Sequence, residues 1–291
     1  RIEMFAHGAL CMAISGKCYL SLQTYGASAN RGACFQLCRR GYEVTDLETG
    51  TQLNIDNKYI MSPKDLCTIE FMDKIIDAGV KVFKIEGRAR SAEYVKRCAQ
   101  CYRKAADAVC EGTYTPELAA SLKAELSEVF NRGFWDGYYQ GARLGEWSAV
   151  YGSQATRKKV YCGKVTNWFD RIGVAEIAVE SSPLEVGAQC MAIGSKTGMI
   201  EFTVNDLRVD MKPAERADKG VRCSVAIVPE NRGPRDGDVE LSASSGCCAD
   251  QAAAEASGGG NTTEDGQVTS GGKIPVRLRR GDKIYIWQKA N

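Results

Sequence analysis

The sequence predicts an α/β segment followed by a small all-β barrel. Between residues 1 and 112, strand-like apolar runs alternate with loops and helical patterns, the rhythm of a parallel sheet or barrel. From residue 156 onward, short β-type runs are separated by Gly, Pro, Asn and Asp turns, which is typical of a small β-barrel. The 291 residues are enough for two such domains.

The domain boundaries follow from where these patterns change. We expect a partial α/β barrel over 1–112, a helical linker over 113–155 and a β-barrel over 156–291. A complete (β/α)₈ barrel needs about 250 residues, so residues 1–112 would hold only its C-terminal portion. The chain starts without Met inside an apolar segment, which we interpret as a cut within a domain. Residues 231–272 are rich in Ser, Gly, Ala and acids, which predicts disorder there.

Local signals predict the elements of the first part in order. Residues 2–14 indicate a strand that leads into a Gly- and Cys-rich loop, and 42–46 with 52–55 indicate a hairpin. Ser62-Pro63-Lys64-Asp65 predicts a helix start, and Gly79 its end. Residues 80–85 predict a strand and Ser91 the cap of a helix to about Cys110. A further amphipathic helix is expected over 116–130. The β-type runs of the second part are 160–165, 173–179, 189–193, 199–204, 221–228 and 283–287.

Composition and charge exclude several classes of protein. The apolar fraction is 44% and the charged fraction 25%, as in soluble globular proteins. No apolar run of eighteen residues exists and no signal peptide is visible, so we expect a cytoplasmic protein without a membrane partner. A net charge of +2 predicts no general attraction to nucleic acid. The basic run from Arg88 to Lys104 indicates either a solvated helix face or a surface that contacts phosphate.

Cysteine is the residue type that carries chemistry in this sequence. Of thirteen cysteines, four form a C-x6-C-x15-C-x3-C pattern in a glycine-rich loop: Cys11, Cys18, Cys34 and Cys38. Four thiolates suit Zn²⁺ or an iron–sulfur cluster, and from spacing alone a cluster, zinc and unliganded core thiols all stay open. Cys98 and Cys101, on a predicted helix, are interpreted as core thiols.

Several motifs resemble the peptidase U32 family, also called collagenase-like proteases. They are Glu3-x-Phe5-x-x-Gly8-Ala9-Leu10-Cys11-x4-Gly16-x-Cys18-x-Leu20-Ser21, Asn30-Arg31-Gly32-x-Cys34-x-x-x-Cys38-Arg39, Ser62-Pro63-Lys64-Asp65-Leu66, Lys84-Ile85-Glu86-Gly87-Arg88 and Asn131-Arg132-Gly133-Phe134. The resemblance is nearly continuous through residue 140. It implies a TIM-like (β/α) barrel, followed by a small barrel similar to the second domain of translation elongation factors.

The resemblance also implies an activity. The four cysteines match the family's cluster-binding positions, which implies a [4Fe–4S] cluster. The chain looks most similar to the branch that hydroxylates carbon five of the wobble uridine of tRNA, without molecular oxygen and with prephenate as a required small carboxylate metabolite. Related branches hydroxylate a cytidine of ribosomal RNA or a quinone ring. The older name of the family implies a peptidase instead.

A serine or cysteine peptidase needs a nucleophile paired with a base, most often His. His7 is the only histidine, and on a strand it would lie about 13 Å from Cys11 at roughly 3.3 Å per residue. The sequence therefore favours RNA hydroxylation over peptidase activity.

Site roles are assigned to five further residues. His7 is a candidate proton or hydrogen-bond donor to substrate, or alternatively a satisfied buried histidine. Glu86 and Arg88 follow a predicted barrel strand at its carboxyl end, where barrel enzymes place catalytic groups. Arg88 is a candidate for holding a carboxylate, and Glu86 alternatively forms a structural ion pair. Arg31 and Arg39 flank cysteines and are candidates for binding RNA phosphate or the carboxylates of a metabolite.

Overall fold

The computed structural model describes residues 1–11, 13, 17–27, 31–55, 62–142, 145–148, 152–228 and 277–290. Its contacts divide the chain into two compact units. The first comprises Arg1–Lys158 and Gln288–Asn291, and the second comprises Lys159–Trp287. The predicted disorder over 231–272 falls outside the described residues.

The described residues of the first unit form two sheets and four α-helices. Its strands are β1 (Glu3–Ala9), β2 (Tyr42–Thr45), β3 (Gln52–Ile55), β4 (Asp65–Cys67), β5 (Val82–Ile85) and β6 (Phe134–Trp135). Its helices are α1 (Tyr19–Tyr25), α2 (Met72–Asp77), α3 (Ala92–Cys110) and α4 (Pro116–Ser127). Strands β2 and β3 form the predicted hairpin.

The main sheet of this unit is mixed, with the order β5-β1-β4-β6. Strand β1 runs parallel to β5 and antiparallel to β4, and β4 runs parallel to β6. Strand β5, the loop after it and helix α3 form the predicted succession of strand, loop and helix. The described residues form no closed barrel.

The prediction of a helix that starts at Ser62 is wrong. Asp65 begins strand β4 and pairs with Ala9, while α2 starts only at Met72. The capping residues are used in tertiary contacts instead, since Ser62 accepts a hydrogen bond from Arg39 and the buried Asp65 lies among arginines. A local capping signal is worth about 1 kcal/mol, so such contacts override it.

Helices α3 and α4 build the core of the first unit. Buried side chains recur along one face of α3, as the 3.6-residue period requires: Tyr94, Cys98, Cys101, Tyr102 and Ala105. Cys98 and Cys101 have 0% exposure, which confirms that they are core thiols. On the polar face, Arg97 and Lys104 form ion pairs with Glu125 of α4. At these two positions, the basic run therefore belongs to a helix face that forms ion pairs with α4.

The second unit is made of β-strands, as predicted. They are β7 (Arg157–Phe169), β8 (Val174–Val179), β9 (Leu184–Glu185), β10 (Gln189–Gly194), β11 (Gly198–Thr203), β12 (Leu207–Val209), β13 (Lys212–Pro213), β14 (Arg216–Ala217), β15 (Arg222–Ala226) and β16 (Lys283–Lys289). Eight strands form one sheet in the order β11-β10-β16-β7-β8-β15-β12-β13, and β9 pairs with β14. Closure of this sheet into a barrel is not seen in the described part of the chain. No described helix has the length and apolar character that crossing a membrane requires.

Candidate functional site

The four cysteines of the glycine-rich loop are accessible thiols. Cys11 and Cys34 are exposed, whereas Cys18 and Cys38 are half-buried, and none forms a disulfide. Cys18 is the N-cap of α1, where its Sγ accepts a hydrogen bond from the Ser21 backbone at 3.4 Å. Hydrogen bonds with Ser21 lower the pKa of Cys18, which favours the thiolate that a metal requires.

The pKa of Cys38 responds to the other three thiols of the loop. Burial raises its pKa, and the adjacent Arg39 opposes that rise. Negative charge on Cys11, Cys34 or Cys18 raises it further, so all three lie within electrostatic reach of Cys38. The loop thus collects the predicted donor set in one region.

The four thiols have the right chemistry to bind a metal ion or an iron–sulfur cluster. Their arrangement in the structure, however, does not form a complete metal-binding site. No three His, Cys, Asp or Glu side chains in the described ranges are arranged to hold a metal ion. Tetrahedral ligands at about 2.3 Å from Zn²⁺ must lie about 3.8 Å from one another. The thiols would have to converge further to bind a single metal ion.

Arg39 joins this loop, by hydrogen bonds, to the residues that follow β1 and precede β4. Its Nη1 donates to Ser62 Oγ at 2.8 Å and to the Pro63 carbonyl at 3.0 Å, and its Nη2 donates to the Leu10 carbonyl at 3.0 Å. The side chain is buried, and burial lowers its pKa. This geometry favours a structural role for Arg39 over the predicted contact with substrate. Arg31, in contrast, is exposed.

Asp65 is the centre of a buried ionic cluster that sequence analysis missed. Its carboxylate lies 3.4 Å from Arg90 Nη2 and 3.4 Å from Arg132 Nη1, and it accepts a 3.2 Å hydrogen bond from the Arg132 backbone. Burial and the charge of Arg39 lower the pKa of Arg132 to about 10. Both Asp65 and Arg132 lie in motifs that carry the family resemblance. Their presence in those motifs was the sequence feature that could have indicated the cluster.

This cluster is connected to the cysteine loop through Gln36. The Gln36 side-chain oxygen accepts a hydrogen bond from Arg132 Nη2 at 3.1 Å, and Gln36 lies between Cys34 and Cys38. The Arg90 guanidinium also stacks on Phe130, with 4.1 Å between its central carbon and the ring centroid. The loop that carries two of the four thiols is thereby joined to the protein interior.

His7 is a satisfied buried histidine, the alternative that sequence analysis left open. It has 1% exposure and lies among Tyr94, Tyr102 and Phe134. Its Nδ1 is 3.3 Å from the Tyr102 hydroxyl, which itself donates to the Ala6 carbonyl at 2.9 Å. Burial, with a smaller effect of Arg90, lowers the pKa of His7 to about 3. The ring is therefore neutral near pH 7, which disfavours a role as proton donor.

Glu86 and Arg88 lie just after β5, at its carboxyl end, as predicted. The Glu86 carboxylate accepts a hydrogen bond from the Arg88 backbone at 2.7 Å. The Glu86 backbone donates to the His7 carbonyl at 2.8 Å, which ties this turn to β1. The Arg88 side chain is exposed and is therefore available for an anion.

Comparison with known proteins agrees with the sequence resemblance. The model of peptidase family U32 matches residues 1–149. A protein named "Collagenase" from Porphyromonas gingivalis strain W83 is 56% identical over 227 residues, which is 78% of this chain and 55% of that protein. The "tRNA hydroxylation protein P1" of Bacillus subtilis is 34% identical over 172 residues, 57% of this chain and 40% of that protein. The "23S rRNA 5-hydroxycytidine C2501 synthase" of Escherichia coli is 40% identical over 151 residues, 50% of this chain and 23% of that protein.

The chain spans about half of the collagenase-named relative and smaller shares of the other two. Because the family model covers just over half of the chain, from the cysteine loop to the Asp65 cluster, this protein belongs to peptidase family U32.

Proposed function

We propose that this chain is part of an RNA-modifying hydroxylase that acts on carbon five of the wobble uridine of tRNA. The observation that supports the proposal is the loop that carries four cysteines, three of which (Cys11, Cys18 and Cys34) raise the pKa of the fourth, Cys38. Relatives named for tRNA and rRNA hydroxylation share up to 40% identity with the chain. We place the protein in the cytoplasm, where tRNA is available.

In this proposal Cys11, Cys18, Cys34 and Cys38 bind a [4Fe–4S] cluster. Such a cluster supplies one-electron chemistry when bound. Arg39 holds the loop against Leu10 and Ser62 so that the four thiols can close around one centre. The exposed Arg88 binds a carboxylate of prephenate, and Glu86 orients the Arg88 backbone.

The proposal extends to the fold of the full-length protein. Strands β1 and β5 run parallel and β5 is followed by α3, which supports their belonging to a TIM-like barrel, whereas the antiparallel pairing of β1 with β4 departs from that fold. The β-rich second unit is proposed to be a small barrel similar to the second domain of elongation factors.

A peptidase is the second candidate, because the collagenase-named relative is 56% identical over 227 residues. The geometry of His7 weighs against a base-assisted peptidase within this chain. Burial lowers the pKa of His7 to about 3, which makes the ring a weak base, and its 1% exposure keeps it away from a substrate in solvent. Hydroxylation of ribosomal cytidine is the third candidate, on the basis of the Escherichia coli relative.

Mass spectrometry of nucleosides from a deletion strain tests the proposal. We expect hydroxylated wobble uridine to disappear, to return with the wild-type gene, and to stay absent with Cys34→Ser. The matched control is Cys247→Ser, which removes a thiol outside the loop and should restore the modification. An unchanged tRNA profile overturns the proposal, and loss of a ribosomal hydroxycytidine instead assigns the third candidate. Gelatin cleavage that is equal for the full-length protein with and without iron assigns the peptidase.

A further inference from the structure

One loop of the second unit, Arg277–Lys283, presents positive charge to solvent. Its acidic residue, Asp282, is buried. The Asp282 carboxylate accepts hydrogen bonds from Thr197 Oγ1 at 2.6 Å and from the Arg279 backbone at 2.7 Å. The acid therefore fixes the conformation of the loop from inside, and the side chains left on its surface are cationic: Arg277, Arg279, Arg280 and Lys283.

Two open clefts share Arg279 and Arg280 as lining residues. One has a volume of about 590 Å³ and is also lined by Arg222 and its ion-pair partner Glu176. The other has a volume of about 670 Å³ and is also lined by Lys196. The two arginines thus form a ridge that faces both clefts, and we call it the Arg279–Arg280 ridge.

The ridge differs from the other basic positions around it in its ion pairing. Arg277 lies 3.4 Å from Asp170, and Arg222 lies 3.5 Å from Glu176. Within the described part of the chain, neither Arg279 nor Arg280 has an acidic partner, and both are exposed. Their guanidinium groups keep all their side-chain donors for a ligand, and the fork of donors on a guanidinium matches phosphate oxygens.

We propose that the Arg279–Arg280 ridge binds the sugar–phosphate backbone of RNA. This inference rests on the proposed function and assigns a docking surface to it. Single-stranded nucleic acid is bound along positively charged grooves that follow its backbone. RNA is preferred to a membrane or an acidic protein as the occupant because the proposed function gives the chain an RNA substrate.

Binding of the full chain to labelled tRNA at several salt concentrations tests this proposal. We expect the double substitution Arg279→Gln, Arg280→Gln to weaken binding about tenfold or more at about 0.1 M salt. The slope of log affinity against log salt should become shallower by about two, because about two phosphates are no longer neutralised.

The matched control removes the same charge elsewhere in the second unit. Arg208→Gln with Arg216→Gln affects exposed arginines that already pair with Asp206 and Glu185. We expect this control to change affinity less than about twofold. An equal reduction in the control overturns the proposal, because net charge alone would then explain binding. Ridge-dependent binding to vesicles containing phosphatidylserine, without binding to tRNA, overturns it as well.

The same variants separate this inference from the proposed function. If Cys34→Ser abolishes wobble hydroxylation while the ridge variant binds tRNA normally, the docking surface is refuted and the function stands. If the ridge variant no longer binds tRNA while a deletion strain keeps its hydroxylated uridine, the docking surface stands and the proposed function is refuted.

Discussion

The Arg39 guanidinium donates a hydrogen bond to the Leu10 carbonyl at 3.0 Å, across 29 residues of chain. Leu10 precedes the first cysteine of the loop and Arg39 follows the fourth. One buried side chain therefore joins the two ends of the cysteine loop. This link helps to hold Cys11 and Cys38, which adjoin Leu10 and Arg39 in sequence, in one region.

Replacing Arg39 should release the loop. Arg39→Gln removes three hydrogen bonds, so we expect the free energy of unfolding to fall by about 3 kcal/mol and the loop to become more sensitive to trypsin. Arg40→Gln, at the exposed neighbouring position, is the control and should leave both quantities nearly unchanged. Urea denaturation and timed proteolysis measure the difference. Equal stability of the two variants would contradict a structural role for Arg39.

The buried carboxylate of Asp65 should be essential for stability. Asp65→Asn leaves Arg90 and Arg132 buried without their counter-charge, which typically costs about 3–5 kcal/mol. Glu146→Gln, which breaks the more exposed ion pair with Lys64, should cost about 1 kcal/mol or less. Denaturation midpoints compare the two variants. A mild effect of Asp65→Asn would mean that the arginines find other partners or water.

His7 should not titrate near neutral pH. Because it is the sole histidine, its ring proton gives a single NMR titration curve, and we expect no inflection between pH 5 and 8. Between pH 6.5 and 3 the unfolded chain binds a proton at His7 that the folded chain excludes. Stability should therefore fall as the pH falls, by about 1.4 kcal/mol per pH unit from this residue. An inflection near pH 6.5 would show that the ring is exposed.

Alkylation should separate the loop thiols from the core thiols. Cys11 and Cys34 are exposed and should react with iodoacetamide at pH 8 within minutes. Burial raises the pKa of Cys162 to about 11 and that of Cys223 to about 12, so these two should react far more slowly. Mass spectrometry of peptides measures each site, with guanidinium-unfolded protein as the control in which all react. Rapid labelling of Cys162 in the folded chain would contradict the described core.

Gly8 should tolerate no side chain. Its φ is +125°, and an added Cβ would lie 2.8 Å from Glu86 Cβ and 2.9 Å from the Glu86 carbonyl oxygen. We expect Gly8→Ala to destabilise the protein by about 3 kcal/mol and to displace the turn that holds Glu86. Gly26→Ala is matched in having a positive φ, +60°, but has nothing within 4 Å, so about 1 kcal/mol is expected. Thermal unfolding compares the two.

The sequence predicted elements well where local pattern and tertiary packing agree. The helix from Ser91 and the hairpin of β2 and β3 have clear signals, and both exist. The error at Ser62 arose because Asp65 is needed at the centre of an ionic cluster. Asp65 contacts Arg90, 25 positions along the chain, and Arg132, 67 positions along it. No local sequence pattern can indicate contacts between residues so far apart in the chain.

The candidate site was predictable in its chemistry and less so in its geometry. The cysteines were visible from their spacing, whereas the sequence shows that Arg39 is charged but not that it is buried. The same holds for His7, whose residue type suggests proton transfer until its burial is known. The roles of Glu86, Arg88 and Arg31 stay predictions.

The buried, neutral ring of His7 does not gain a proton in mild acid, although histidine is the side chain that ordinarily titrates in that pH range. Moving from pH 8 to about pH 5.5 adds no positive charge at any histidine, so attraction to a polyanion gains nothing from acidification there. Any response of this chain to mild acid must then come from side chains other than histidine.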